Sequence, residues 1–126
     1  MTEERKKELS ENYARVLEMI EAAKKTRGGD KPVTLLAATK TVPAEDICYL
    51  IENCGLKLCG ENHAQEFADK YDAVRAAGGE MDFIGHLQTN KVKYIVGKAR
   101  LIHSLDSIKL AEEINSRAEK LGVVQK

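Results

Sequence analysis

Four short apolar runs, each followed by a segment of helical periodicity, constrain this chain more than any other feature. The runs are 33–39, 56–60, 81–85 and 100–104. Each is too short for a buried helix, and the first is bounded by Pro32 and Pro43, so each reads as a strand. The segments between them repeat apolar residues at helical spacing. The spacing predicts helices over 44–54 (Ile47, Leu50, Ile51 and Cys54 inward) and 63–77 (Phe67, Ala68, Tyr71 and Val74 inward). Further helices are predicted over 89–97 (Val92, Ile95 and Val96 inward) and 107–121 (Ile108, Ala111, Ile114, Ala118 and Leu121 inward). A longer helix over 3–26 comes first, with Leu9, Tyr13, Val16, Leu17, Ile20 and Ala23 on one face.

Strict strand–helix alternation implies a parallel sheet covered by helices, an α/β fold with right-handed crossovers. An open doubly wound sheet and a TIM-type (β/α)8 barrel both satisfy it. Residues 1–126 read as one domain, an N-terminal helix plus four strand–helix units. A barrel needs about 250 residues, so these units amount to about its first half. After Gly122, Val123-Val124-Gln125-Lys126 reads as the approach to a further strand, and a partial chain is the expectation.

Twenty basic and twenty acidic residues cancel, unlike the basic excess of a general nucleic-acid binder. No apolar stretch has the length of a membrane span, and the charged start, Thr2-Glu3-Glu4-Arg5-Lys6-Lys7, lacks a signal peptide's apolar core. A cytoplasmic protein is expected, with no nucleic-acid or membrane partner. Cys48, Cys54 and Cys59 have no C-x-x-C spacing and read as small apolar residues in a reducing compartment; His63, His86 and His103 do not supply metal-ligand spacing. P-loop and G-x-G-x-x-G fingerprints are absent.

In a parallel sheet every strand ends at the same edge, where βα loops gather residues distant in sequence. Reading past each strand end gives Lys40, then Glu61, Asn62 and His63, then His86, Gln88, Thr89, Asn90 and Lys91, then Ser104, Asp106 and Ser107. Lys40 stands between the first strand and Pro43. Held against apolar surroundings there, it would lose proton affinity and become an amine nucleophile. Several of the others have structural roles to fill. Asn62 with Gln65 fits a capping box, Asp106 or Ser107 fits a helix cap, and Thr89 or Asn90 fits a cap of the third helix. His86 alone fits a hydrogen-bonded structural histidine, and Lys91 fits a solvated lysine.

Four segments, in order, resemble the signatures of one family: Leu35-Leu36-Ala37-Ala38-Thr39-Lys40-Thr41-Val42-Pro43, Gly60-Glu61-Asn62-His63-Ala64-Gln65-Glu66, Phe83-Ile84-Gly85-His86-Leu87-Gln88-Thr89-Asn90-Lys91 and Ile102-His103-Ser104-Leu105-Asp106. It is the pyridoxal-phosphate homeostasis family, also described as proline synthase co-transcribed homologues. The resemblance implies a fold-type III barrel similar to the N-terminal domain of alanine racemase. It implies that Lys40 carries pyridoxal 5'-phosphate (PLP) as a Schiff base, that Asn62 and His86 line the cofactor ring with Ser104 nearby, and that Lys91 belongs to the rim. Members are thought to hold, buffer or deliver the cofactor in vitamin B6 balance, not to catalyse a dedicated reaction. In this family the phosphate cup and the arginine facing the pyridine nitrogen come from the second half of the barrel, beyond these residues. Two open sheet edges make homo-oligomerisation an expectation. Two alternatives use the same residues differently: a Schiff-base lysine enzyme of aldolase or racemase type, and a non-enzymatic half-barrel interaction module.

Overall fold

A computed structural model describes residues Met1–Lys126. Three strands form a parallel sheet in the order β1 (Ala37–Ala38), β2 (Leu58–Glu61), β3 (Glu80–Phe83). The helices are α1 (Glu3–Arg27), α2 (Ala44–Cys54), α3 (Ala64–Ala77) and α4 (Ile108–Leu121), with a 3-10 helix at Thr89–Tyr94. A fourth parallel position lies beside β3. Arg100 N donates to Met81 O at 2.8 Å and His103 N to Phe83 O at 3.0 Å, with a single bridge pairing Phe83 and Ile102. Ile102 N in turn donates to the Lys126 carbonyl at 2.9 Å.

The helices start and stop where their end residues dictate. Thr2 Oγ1 accepts the Arg5 amide at 3.1 Å, Glu3 and Glu4 fill the first turn of α1, and Lys24, Lys25 and Arg27 fill its last, matching the helix dipole at both ends. Gly78, at φ +100°, closes α3 in the left-handed region.

One face of the sheet carries Cys59, Met81 and Phe83, and the helices cover it. Ile47 of α2, Phe67 and Val74 of α3, Val92 of the 3-10 helix, Ile95 just after it and Leu110 of α4 close the core, each 1 % exposed or less. Phe67 meets Phe83 edge-on, with centroids 6.3 Å apart. Burying each of these two rings contributes about 2–3 kcal/mol. The opposite face carries Leu36, Gly60, Asp82 and Ile84, and no helix covers it.

The strand expected over 33–39 shrinks to two residues. Ala37 pairs with Cys59, which would put residues 33–35 opposite 55–57. That stretch is still leaving α2, with Leu56 N bonded back to Leu50 O at 3.2 Å, so the upstream residues have no extended partner. The expected helix over 89–97 is a 3-10 helix. Its β-branched residues have weak α preference, and Val92 and the C-cap residue Ile95, three apart, both enter the core. Of the residues expected inward on α4, Ile108 is 79 % and Leu121 45 % exposed. Among helices and strands α4 packs only on the 3-10 helix, so the rest of its apolar surface is uncovered.

Candidate functional site

The C-terminal ends of the strands lie along one edge. β1 leads into the turn Thr39–Val42, closed by Val42 N to Thr39 O at 3.0 Å. Lys40 sits in this turn and is exposed, not held against apolar surroundings as the sequence suggested. Its ammonium makes no hydrogen bond or ion pair. The strand before it is too short and too near the sheet edge to wall it in. Thr41, the next residue, is left-handed at φ +63°.

At the end of β2, Glu61 is fully buried and does not reach the rim. Its carboxylate faces the helices, accepting Thr39 Oγ1 at 2.7 Å and Lys70 Nζ at 2.8 Å. The Asn62–Gln65 capping box does not form. His63 is the N-cap of α3 without a side-chain bond, and Gln65 donates to Asp69 at 2.9 Å. Asn62 is half-buried with its side-chain amide uncommitted.

Past β3, Gly85 packs on the β2–α3 connection. A Cβ there would stand 2.1 Å from the Asn62 carbonyl oxygen, so only glycine allows this approach. It brings Asn62 and His86 to the walls of one groove of about 410 Å³, with His63, Gln88 and Lys91 around it. His86 Nδ1 lies 3.3 Å from Asp106 Oδ2, with both side chains mostly in solvent. Such a pair orients a ring more than it stabilises a fold. Ser107, not Asp106, caps α4, accepting Leu110 N at 3.1 Å. Thr89 and Asn90 cap nothing; Gln88 is the 3-10 helix's N-cap residue, and its side chain makes no cap bond.

At the fourth position Ser104 Oγ is buried without a hydrogen-bond partner. The groove therefore unites Asn62, His86 and Lys91, while Lys40 and Ser104 stand outside its lining.

Two clusters escaped the sequence reading. Lys70 of α3 is buried and bonded to Glu61, Glu66 and the Thr39 carbonyl. Burial pulls its ammonium toward deprotonation, but the bonds to Glu61 and Glu66 outweigh that and raise its pKa. Glu66 is held below the usual carboxylate range by the Thr41 amide and by Lys70. On the uncovered sheet face, Asp82 is fully buried and takes Arg100 through two bonds, at 2.9 and 2.6 Å, and His103 Nε2 at 2.8 Å. The signal for Lys70 was its place between Phe67 and Val74 on the inward side of its helix. The signal for Asp82 was a charge inside an apolar strand.

No family model matches the chain. It is 53 % identical over 116 residues to the pyridoxal phosphate homeostasis protein of Aquifex aeolicus, covering 91 % of this chain and 50 % of that protein. It is 36 % identical over 115 residues to the protein of the same name from Escherichia coli K12, covering 87 % and 48 %. Among solved structures, a protein of unknown function from Bifidobacterium adolescentis superposes with a TM-score of 0.87 at 32 % identity, covering 99 % of this chain and 55 % of that one. PipY of Synechococcus elongatus, with PLP bound, superposes at 0.65 and 32 % identity, covering 78 % and 47 %. The chain spans about half the length of the relatives it matches. Sequence and fold agree: the chain belongs with the pyridoxal phosphate homeostasis proteins and corresponds to about half of one.

Proposed function

We propose that this chain holds PLP as a Schiff base on Lys40, with Asn62, His86 and Ser104 around the cofactor, in the service of vitamin B6 homeostasis. The observation that carries the reading is that Lys40, Asn62 and His86 follow the ends of β1, β2 and β3, and Ser104 follows the bridge at Ile102, all at one edge of the sheet. The PLP bound by PipY and the names of the relatives support it. The residues present fit such a ligand. Lys40 has a free amine, Asn62 an uncommitted amide, and Ser104 a buried hydroxyl that lacks a partner.

When bound, PLP would supply an aldehyde carbon, and Lys40 would hold the cofactor through its amine nitrogen. Asn62 and Ser104 then orient the bound ring by hydrogen bonds, and His86, steadied by Asp106, stands at the mouth of the groove. A phosphate needs several convergent cationic or amide donors, and Lys91 is the one cation in the groove lining. Weak cofactor affinity follows for these residues alone. The reading treats residues 1–126 as the first four units of a (β/α)8 barrel domain, a holder of cofactor more than a catalyst. It acts in the cytoplasm, where free Cys48, Cys54 and Cys59 stay reduced, and it self-associates through open sheet edges. No helix is long and apolar enough to cross a membrane.

The test is the visible absorption of the purified chain with added PLP, for wild type and Lys40→Ala. An imine band in wild type alone supports the reading. A band in both moves the attachment to another lysine, and a band in neither sinks the reading for these residues.

A further inference from the structure

Lys40 is exposed and its ammonium touches no partner, so its direction is set only by the backbone that carries it. That backbone is pinned from the helix layer. Lys70 Nζ donates to the Thr39 carbonyl at 2.9 Å, on one side of Lys40. On the other side, the Thr41 amide donates to Glu66 Oε2 at 3.0 Å, and the same oxygen accepts Lys70 Nζ at 3.0 Å. Glu61 Oε1, at 2.8 Å, takes the ammonium's third donor. One ammonium therefore ties down both neighbours of Lys40, directly at Thr39 and through Glu66 at Thr41.

The geometry of the tie is demanding. Thr41 is a β-branched residue held at φ +63°, a conformation the chain abandons unless its surroundings impose it. Glu66 is one turn before Lys70 on α3, and Phe67 and Val74 anchor that helix in the core at 0 % exposure. Lys70 itself is 8 % exposed. An ammonium is buried at such a site only when its donors are matched, and here three acceptors match three donors.

We infer that Lys70 is a positioning residue for Lys40, acting through Glu66 and Thr41 to fix the direction in which the Lys40 side chain leaves the sheet edge. The inference rests on the reading of Lys40 as the lysine that holds PLP. It extends the site from the strand ends to a helix residue that touches no cofactor.

The test uses this chain as wild type, Glu66→Ala, Glu66→Gln and Lys70→Met, with two measurements. One is hydrogen exchange of the Thr41 amide without cofactor. The other is borohydride trapping of added PLP at residue 40, read by peptide mass; hydride adds to the imine carbon and water protonates the nitrogen. Glu66→Ala should exchange the Thr41 amide about tenfold faster, the equivalent of one lost hydrogen bond, while amides of α2 and β3 keep their wild-type rates. Its trapping at Lys40 should fall in parallel. Glu66→Gln keeps an acceptor oxygen for Thr41 and should restore both. Lys70→Met should follow Glu66→Ala; if it does not fold, the Glu66 pair decides alone. Unchanged Thr41 exchange in Glu66→Ala overturns the inference. Faster exchange with undiminished trapping overturns it too, because the tie then serves stability only. A wild type that is not trapped at Lys40 sinks the functional reading and takes the inference with it. A trapped wild type with an unchanged alanine variant sinks the inference alone.

Discussion

Gly85→Ala is the sharpest test of how the groove is built. The added Cβ would lie 2.1 Å from the Asn62 carbonyl oxygen, 2.6 Å from its Cα and 2.7 Å from its carbonyl carbon. All three are backbone atoms, so no side chain can swing aside. Reaching ordinary contact distance requires the two connections to part by roughly 1 Å. The Ile84 N to Glu61 O bond, 2.9 Å long, lies next to this contact and would be stretched out of range. Overpacking costs about 1–3 kcal/mol and the lost bond about 1 more, giving roughly 2–4 kcal/mol. Gly79→Ala is the matched control. Its nearest obstacle is the Cδ1 tip of Ile51 at 2.6 Å, which can rotate, so its cost should stay near 1 kcal/mol. Neither glycine has a positive φ, which removes backbone conformation from the comparison. Urea unfolding followed by circular dichroism reads both. With a slope of about 1.5–2 kcal/mol/M for a chain of this size, the Gly85→Ala midpoint should drop by about 1–3 M with the slope unchanged. A shift no larger than that of Gly79→Ala would refute the claim that backbone contact at Gly85 sets the spacing of Asn62 and His86.

Three further outcomes follow from groups already described. Asp82→Ala should destabilise the chain by about 1–3 kcal/mol, because it removes the buried acceptor of three hydrogen bonds while Arg100 and His103, whose side chains are 43 % and 38 % exposed, stay hydrated; a urea midpoint close to wild type would show that the cluster contributes nothing. Cys59 is 1 % exposed, and burial pushes its thiol up to about 11. Ellman's reagent at pH 8 should therefore leave it unmodified until denaturant is added, and its rapid labelling in the native protein would contradict the core packing. Glu66 has a folded-state pKa below the ordinary 4.5, so its contribution to stability is present above pH 4.5 and lost as pH falls through the lowered value. Lys70, raised above 10.5, keeps its contribution below pH 10.5 and loses it only at higher pH. Urea midpoints of Glu66→Gln should thus fall less steeply between pH 5 and pH 3 than those of wild type, and parallel curves would argue against the ion pair.

How much of this was legible in the residues depended on which neighbour decided each element. α1, α2, α3 and α4 follow their own periodicity and end signals, and the structure has them within a residue or so of the positions read from sequence. β1 does not, because its length is set by where α2 releases residues 55–57, a tertiary fact. The 3-10 helix was read as an α-helix because Val92, Ile95 and Val96 suit both periods over so short a stretch. At the candidate site, strand ends located Lys40, Asn62, His86 and Ser104 along one edge, but neither the exposure of Lys40 nor the uncommitted state of Asn62 is written in local sequence. Glu61 looked like a rim residue because it follows an apolar strand. Its burial depends on Lys70 reaching it from a helix nine residues on.

α1 contributes no fully buried residue to the fold. Its 25 residues extend for about 37 Å, and among helices and strands they pack only on α2. The ties are concentrated in its first half: Arg5 to Asp46 at 2.9 Å and Ser10 Oγ to Tyr49 at 3.0 Å. Val16 and Leu17, expected on its apolar face, are 41 % and 39 % exposed. Loss of this helix would uncover little apolar area, and so its opening free energy lies well below that of the sheet. The molecule therefore unravels in stages, with the C-terminal turns of α1 fraying first and the Phe67–Phe83 core last. A protease meeting the native chain should cut first among Lys24, Lys25 and Arg27, leaving the Lys40 turn and the groove on the surviving fragment.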